Sequence, residues 1–220
     1  FNLLTGFSDP PRWNKLVTAP LDLRNFFLSK LEREIENVKN GGKGQVIAKM
    51  NAVLDERMMR GLYAASQAGV KIQLVVRGIC CLRPGVKGLS ENISVISIVD
   101  RYLEHSRIYS FYANGEREVF LSSADWMNRN FDRRVEILFP VEEEEHRKEV
   151  MDYLQILLAD NTHARDLSGD GTYRIRKTPS GEKPRNAQRE MYQYIQKRSG
   201  VESEKAVIRF IPKTKSEQAG

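Results

Sequence analysis

Apolar residues at Leu23, Phe26, Phe27, Leu31, Ile35 and Val38 recur at helical spacing and stop at Asn40-Gly41-Gly42. This predicts an amphipathic helix closed by glycine. A short apolar run over 45–50 then predicts a strand. Residues 55–67, with Met58, Met59, Leu62 and Tyr63 on one face, predict a helix, and 71–76 after Gly69 predict a buried strand. Such a β-α-β unit crosses over right-handed, so its strands run parallel and their carboxyl ends share one edge.

A further β-branched run covers 93–98. Segments 107–112 and 118–122 flank Ala113-Asn114-Gly115-Glu116, where the Asn-Gly pair signals a hairpin. A strand over 134–141 precedes an acidic helix over 142–158. Residues 161–184 read as loops around a short strand at 172–176. A helix over 185–198 places Ala187, Met191, Tyr194 and Ile195 on one face, and 213–220 read as a disordered tail without function. The fold class expected is an α/β sandwich with a mixed, mostly parallel sheet flanked by helices.

The 220 residues suffice for one large domain, and 40 % hydrophobic content marks a hydrophilic globular chain. No apolar run approaches the ~18 residues of a membrane span, and no signal-peptide pattern opens the chain. Cys80 and Cys81 are adjacent, which suits neither a disulfide framework nor a tetrahedral metal set and fits a reducing compartment. An opening Phe rather than Met suggests a piece of a longer protein. The net charge of +6 comes from basic surpluses on both sides of the acidic 142–160 segment. It implies a polyanionic partner, whether nucleic acid, phosphorylated metabolite or inorganic phosphate chain, without choosing among them.

The chemistry-bearing residues gather around two segments. His105 and Arg107 stand two apart at the opening of a strand, so their side chains share a face. A neutral imidazole beside a fixed guanidinium suits attack on, or proton donation to, a phosphorus centre; the plainer alternative is a surface His beside a surface Arg. Ser122 and Ser123 end an apolar strand, where hydroxyls and backbone N–H groups suit phosphate oxygens, although Ser and Asp capping a short helix explain them equally. Glu136 on the next strand is the expected carboxylate orienting His105. Arg77 follows an apolar strand where ligands of open α/β sheets bind, the alternative being an Arg paired with a carboxylate. Lys49 and Asn51 share that edge. Glu142 to Glu145 read as a solvated helix start, and His146 and His163 lack ligand spacing, so no metal site is expected. Neither GxxxxGK[ST] nor GxGxxG occurs.

Longer strings carry a resemblance. Ser97-Ile98-Val99-Asp100-Arg101-Tyr102-Leu103-Glu104-His105 and Leu121-Ser122-Ser123-Ala124-Asp125-Trp126-Met127-Asn128-Arg129-Asn130 resemble the C-terminal region of bacterial polyphosphate kinases. So do Leu62-Tyr63-Ala64-Ala65-Ser66 with Gly69-Val70, and Leu74-Val75-Val76-Arg77-Gly78, and the likeness runs from Phe1 to Ile195.

The resemblance implies a phospholipase D-like fold over 1–212. In it two similar domains face each other, each bringing one histidine to a shared centre that moves the terminal phosphate of ATP reversibly onto polyphosphate through a phosphohistidine. Residue by residue, His105 matches the family's second histidine and Arg77 its ATP-phosphate arginine. The phosphorylated histidine, the metal-binding arginines and a nucleotide-contacting tyrosine belong to the preceding domain. Mg2+ is therefore expected with ATP and held there, not by this chain.

The implied partners are ATP, ADP, polyphosphate and the preceding domains, with homo-oligomers of the full enzyme, no specific nucleic acid, and a cytoplasmic location with membrane association left open. This piece alone is expected to be inactive. One departure stands out. The phospholipase D pattern is His-x-Lys, and here it is His105-x-Arg107, which puts diester cleavage in doubt and keeps phosphate binding. Two alternatives remain: a phospholipase D-like phosphodiesterase or nuclease built from two paired copies, and a polyanion-binding module without activity of its own.

Overall fold

The computed structural model describes residues 13–178 and 180–199. Its centre is the expected β-α-β unit. Gln45–Met50 (β2) and Lys71–Val76 (β3) run parallel, with Lys49 opposite Val75 and Met50 opposite Val76. Glu56–Gln67 (α2) connects them, and the Asp55 carboxylate caps its start by accepting from Met58 N at 2.9 Å. Ile93–Ile98 (β4) adds a second parallel neighbour to β3.

The rest of the sheet is antiparallel. Arg107–Phe111 (β5) pairs with β2 on one side and with Glu118–Ser122 (β6) on the other. Glu136–Pro140 (β7) follows β6, and Val17–Ala19 (β1) closes that end. Ala164–Leu167 (β8) pairs with β4, and Tyr173–Ile175 (β9) with β8. The order is β1-β7-β6-β5-β2-β3-β4-β8-β9. The sheet is mixed as expected, but "mostly parallel" is corrected, since among the described residues only β2–β3 and β3–β4 are parallel strand pairs. Parallel pairs need long crossovers such as the one α2 supplies between β2 and β3, whereas the short hairpin connection between β5 and β6 allows only antiparallel return.

Helices cover both faces. Leu23–Lys39 (α1) and α2 bury Leu23, Phe27, Leu31, Met58 and Leu62 against Val46, Ala48, Tyr109 and Phe111. The short Asn128–Arg133 (α3) adds Phe131 to this core. On the opposite face Glu144–Leu158 (α4) packs Leu154 and Leu157 onto Ile47, Val75, Ile96 and Ile108. Ala187–Ser199 (α5) lies beside it with Ala187 buried. Ile195, expected on the packed face of this helix, is 52 % exposed, because only the first turn of α5 reaches the sheet-side core. Strands β1 and β8, of three and four residues, are not read as strands from the sequence. The boundary expected at 212 and the tail after it lie outside the described residues.

One buried carboxylate organises the far end. Asp160 Oδ1 accepts from the backbone N–H of Thr162, His163 and Ala164 at 2.9, 2.7 and 3.0 Å, and Oδ2 from Ala187 at 2.7 Å. It thereby starts β8 and caps α5 at once. Burial acts to raise its pKa, and the four N–H donors outweigh burial and hold it below the ordinary value. A depressed folded pKa contributes stability above the unfolded value of about 3.9 that is lost as pH falls through the folded value. Asp160→Asn is therefore expected to cost about 1–3 kcal/mol at pH 7. Urea titrations should show the gap from wild type narrowing as pH drops below about 4.

Candidate active site

The carboxyl ends of β2, β3 and β4 meet the start of β5 and the end of β6 at one edge. Three loops leaving this edge are stitched together. Gly78 N donates to Asn51 O at 2.8 Å, and a Cβ at Gly78 would sit 2.9 Å from that oxygen, so glycine is what lets the two loops touch. Val53 bridges to both Cys80 and Trp126, and Leu54 N and Asp55 N both donate to Trp126 O. Beneath them Tyr109 stacks on Trp126 and donates its hydroxyl to Ala124 O at 2.6 Å. Burial, with Asp125 nearby, raises the Tyr109 pKa and keeps it a donor.

On this platform sits a chain of polar side chains. Asp125, 6 % exposed, accepts from Arg107 through Nε at 3.2 Å and Nη2 at 3.1 Å. It also accepts from Asn51 N at 2.7 Å and Asn51 Nδ2 at 3.2 Å. Asn51 Oδ1 in turn accepts from Arg77 Nε at 3.2 Å. The Arg77 backbone is fixed by its own N–H to Met50 O at 3.3 Å and by Ser97 Oγ donating to its carbonyl at 3.2 Å. Among the described residues the two terminal nitrogens of Arg77 carry no hydrogen bond. They and the exposed His105 ring are what the edge offers to a ligand. Arg107 Nη1 lies 3.1 Å from His105 Nδ1 and donates to the His105 carbonyl at 2.9 Å.

The structure thus brings together His105, Arg107, Arg77 and Asn51. It places the other expected residues differently. The Ser122 hydroxyl donates to Ile137 O at 2.7 Å and accepts from Ala124 N at 3.1 Å. Ser123 donates to Glu136 and accepts from Ile137 N. Both hydroxyls are spent on shaping the turn. Glu136 accepts from Ser123 and Asn130, with no hydrogen bond to the His105 ring, because its side chain points into the core between β7 and α3. Lys49 is 2 % exposed and lies on the α4 side of β2, where Nζ donates to Ser106 O at 3.1 Å.

Asp125 does not cap α3, whose N-cap is Met127; it was legible only as one member of the Ser-Asp turn. Its signal was the hairpin register: Arg107 pairs with Ser122, each seven residues from the Asn114-Gly115 pair, which sets Asp125 beside Arg107.

A sequence model of the family described as polyphosphate kinase C-terminal domain 2 matches residues 16–188. The chain belongs to this family. Relatives named polyphosphate kinase include one from Synechocystis, 51 % identical over 188 residues, covering 86 % of this chain and 26 % of the relative. One from Exiguobacterium is 48 % identical over 194 residues, covering 88 % and 27 %. The chain therefore spans about a quarter of the length of these curated relatives.

The crystal structure of polyphosphate kinase from Porphyromonas gingivalis superposes with a TM-score of 0.86 at 42 % identity, over 90 % of this chain and 30 % of that one. Nuc from Salmonella typhimurium, a phospholipase D family member, aligns with a TM-score of 0.51 at 12 % identity, over 70 % of this chain and 97 % of that one. That likeness shows the fold, which is phospholipase D-like as expected.

Among the described residues of this polyphosphate kinase domain, no three His, Cys, Asp or Glu side chains converge to hold a metal, and no helix is long and apolar enough to cross a membrane. Asp125 and Glu136, the carboxylates of the edge, are already committed to Arg107 with Asn51 and to Ser123 with Asn130.

The Arg107–Asp125 pair is nearly enclosed, with side chains 14 % and 8 % exposed. Removing one partner strands the other charge. Asp125→Ala is expected to cost about 3–5 kcal/mol in urea unfolding, against about 1 kcal/mol for Ser122→Ala, whose lost bonds are neutral.

Proposed function

We propose that this domain forms one wall of a phosphoryl-transfer centre that moves the terminal phosphate of ATP onto inorganic polyphosphate and back. The phosphohistidine belongs to the preceding domain of the same polypeptide. The observation that carries the reading is the chain Arg77–Asn51–Asp125–Arg107 beside the exposed His105, at the ligand edge of a polyphosphate kinase domain.

Arg77, held by Nε, turns its terminal nitrogens to the triphosphate, and Arg107 adds positive charge beside His105. Both are fixed before a ligand arrives, so the edge stabilises charge on the transferred group without reorganising. His105 faces the phosphorylated histidine and hydrogen-bonds or protonates an oxygen of the group in transit. Substituting arginine for the lysine of His-x-Lys keeps the charge and adds a fork that Asp125 holds by two of its nitrogens. Mg2+ accompanies the nucleotide, with its protein ligands in the preceding domain. The full enzyme is read as a cytoplasmic homo-oligomer.

The full-length enzyme provides the test. His105→Ala and Arg77→Ala should each lower ATP-to-polyphosphate transfer by well over tenfold, or roughly 1.4 kcal/mol. Retention within about threefold, roughly 0.7 kcal/mol, removes the assignment. Hydrolysis of DNA by this chain without ATP would favour the phosphodiesterase reading instead.

A further inference from the structure

His105 sits in an irregular segment, residues 99–106, between β4 and β5. A loop residue keeps its freedom unless neighbouring polar groups are tied down. Near its start Asp100 Oδ2 accepts from Asn186 Nδ2 at 2.7 Å, and closer to His105 side chains from α5, α4 and β2 tie this loop. Gln188, in the first turn of α5 and 8 % exposed, accepts from Tyr102 N at 2.9 Å and donates through Nε2 to Tyr102 O at 2.8 Å. Its amide thus pairs with a backbone amide much as a neighbouring strand would. The same Nε2 lies 3.3 Å from Glu104 Oε1. Glu104 Oε2 accepts from the Tyr153 hydroxyl of α4 and lies 3.6 Å from Lys49 Nζ. Lys49 Nζ donates to Ser106 O. The loop is anchored at Tyr102, at Glu104 and at Ser106, on both sides of a histidine whose own ring meets only Arg107 among the described hydrogen bonds.

We propose that Gln188, Tyr153 and Lys49 form a brace that positions His105, so that helices α4 and α5 on the covered face set the place of the histidine on the open edge. The inference rests on the reading above that His105 acts on the transferred group.

A brace explains why a lysine is enclosed here at all. Burial lowers the Lys49 pKa; Glu104 counters this, and Arg77 and Arg107 add to the lowering. A direct phosphate ligand would gain nothing from enclosure beneath the loop. A donor that must hold one carbonyl and one carboxylate does. The brace also reaches further back: Asp160 caps α5 at Ala187, the residue before Gln188, so the same carboxylate that starts β8 indirectly fixes the loop.

Two measurements separate the brace from the reading of function. The chain has only three histidines, so the ring 1H–15N spectrum is assignable by single substitution. In this chain Gln188→Leu, and the milder Tyr153→Phe that removes one hydroxyl, should shift or broaden the His105 ring signals while those of His146 stay in place. His105 signals superposing on wild type in both variants overturn the brace, and Tyr153→Phe keeps the test open should Gln188→Leu fail to fold.

In the full-length enzyme, Gln188→Leu and Lys49→Met should lower kcat about ten- to a hundredfold with KM for ATP within about twofold, and Lys49→Arg should recover part of the loss. A raised KM with unchanged kcat would make Lys49 a binding residue and overturn its place in the brace. Ring signals that move in an enzyme where His105→Ala leaves transfer intact would keep the brace and discard the functional reading alone.

Discussion

The edge of this sheet depends on one buried carboxylate. Asp125 receives four donors, two from the Arg107 fork and two from Asn51, in a position that leaves it 6 % exposed. Without it, one largely enclosed guanidinium would lie unpaired, close to the charged Arg77 and Lys49. Burying like charges together without a counter-ion is what folded chains avoid. With it, Arg107 is held on one side and Arg77 is held through Asn51 on the other, and among the described residues Arg77 keeps its two terminal nitrogens for something else. That is what binding a polyanion requires: positive charge organised in advance, in surroundings where it is poorly screened by water.

The two faces of the sheet contribute unequally to this arrangement. On the α1 and α2 face, Phe27, Tyr109 and Trp126 pack ring against ring, and Tyr109 reaches up to the Ala124 carbonyl. Aromatic packing of this kind fixes the turn that holds Asp125, because moving the turn would move a filled core. On the α4 and α5 face the contacts to the edge are polar instead: Lys49, Tyr153 and Gln188 reach the backbone or the Glu104 carboxylate of the loop before β5. The arginines therefore stand on a packed base, and the histidine hangs from hydrogen bonds.

Several hydroxyl and charged side chains at the edge turn out to face inward. Ser122 and Ser123 resemble ligands in sequence because they end an apolar strand, yet a turn of this tightness leaves backbone N–H and C=O groups that must be satisfied, and their hydroxyls satisfy them, while Glu136 at the start of β7 takes the Ser123 and Asn130 side chains. Lys49 follows the same logic one strand away. Alternation along β2 puts it with Ile47 on the α4 face, opposite to Ala48 and Met50 on the α1 face.

Periodicity alone was enough for the central strands, the four longer helices and the edge where Arg77, His105 and Arg107 gather, because apolar spacing and the crossover rule act locally. The Asn114-Gly115 pair even contained the register that sets Arg107 against Ser122. The long strings around His105 and Trp126 carried the family. What the sequence could not state is which polar residue holds which. Asp125 joins Arg107 across 18 positions, Asp160 joins Ala187 across 27, and Gln188 joins Tyr102 across 86. Such pairings have no period and no local propensity. They exist because the sheet and its two helical layers bring distant groups within hydrogen-bond range out of water, where each buried polar atom must find a partner.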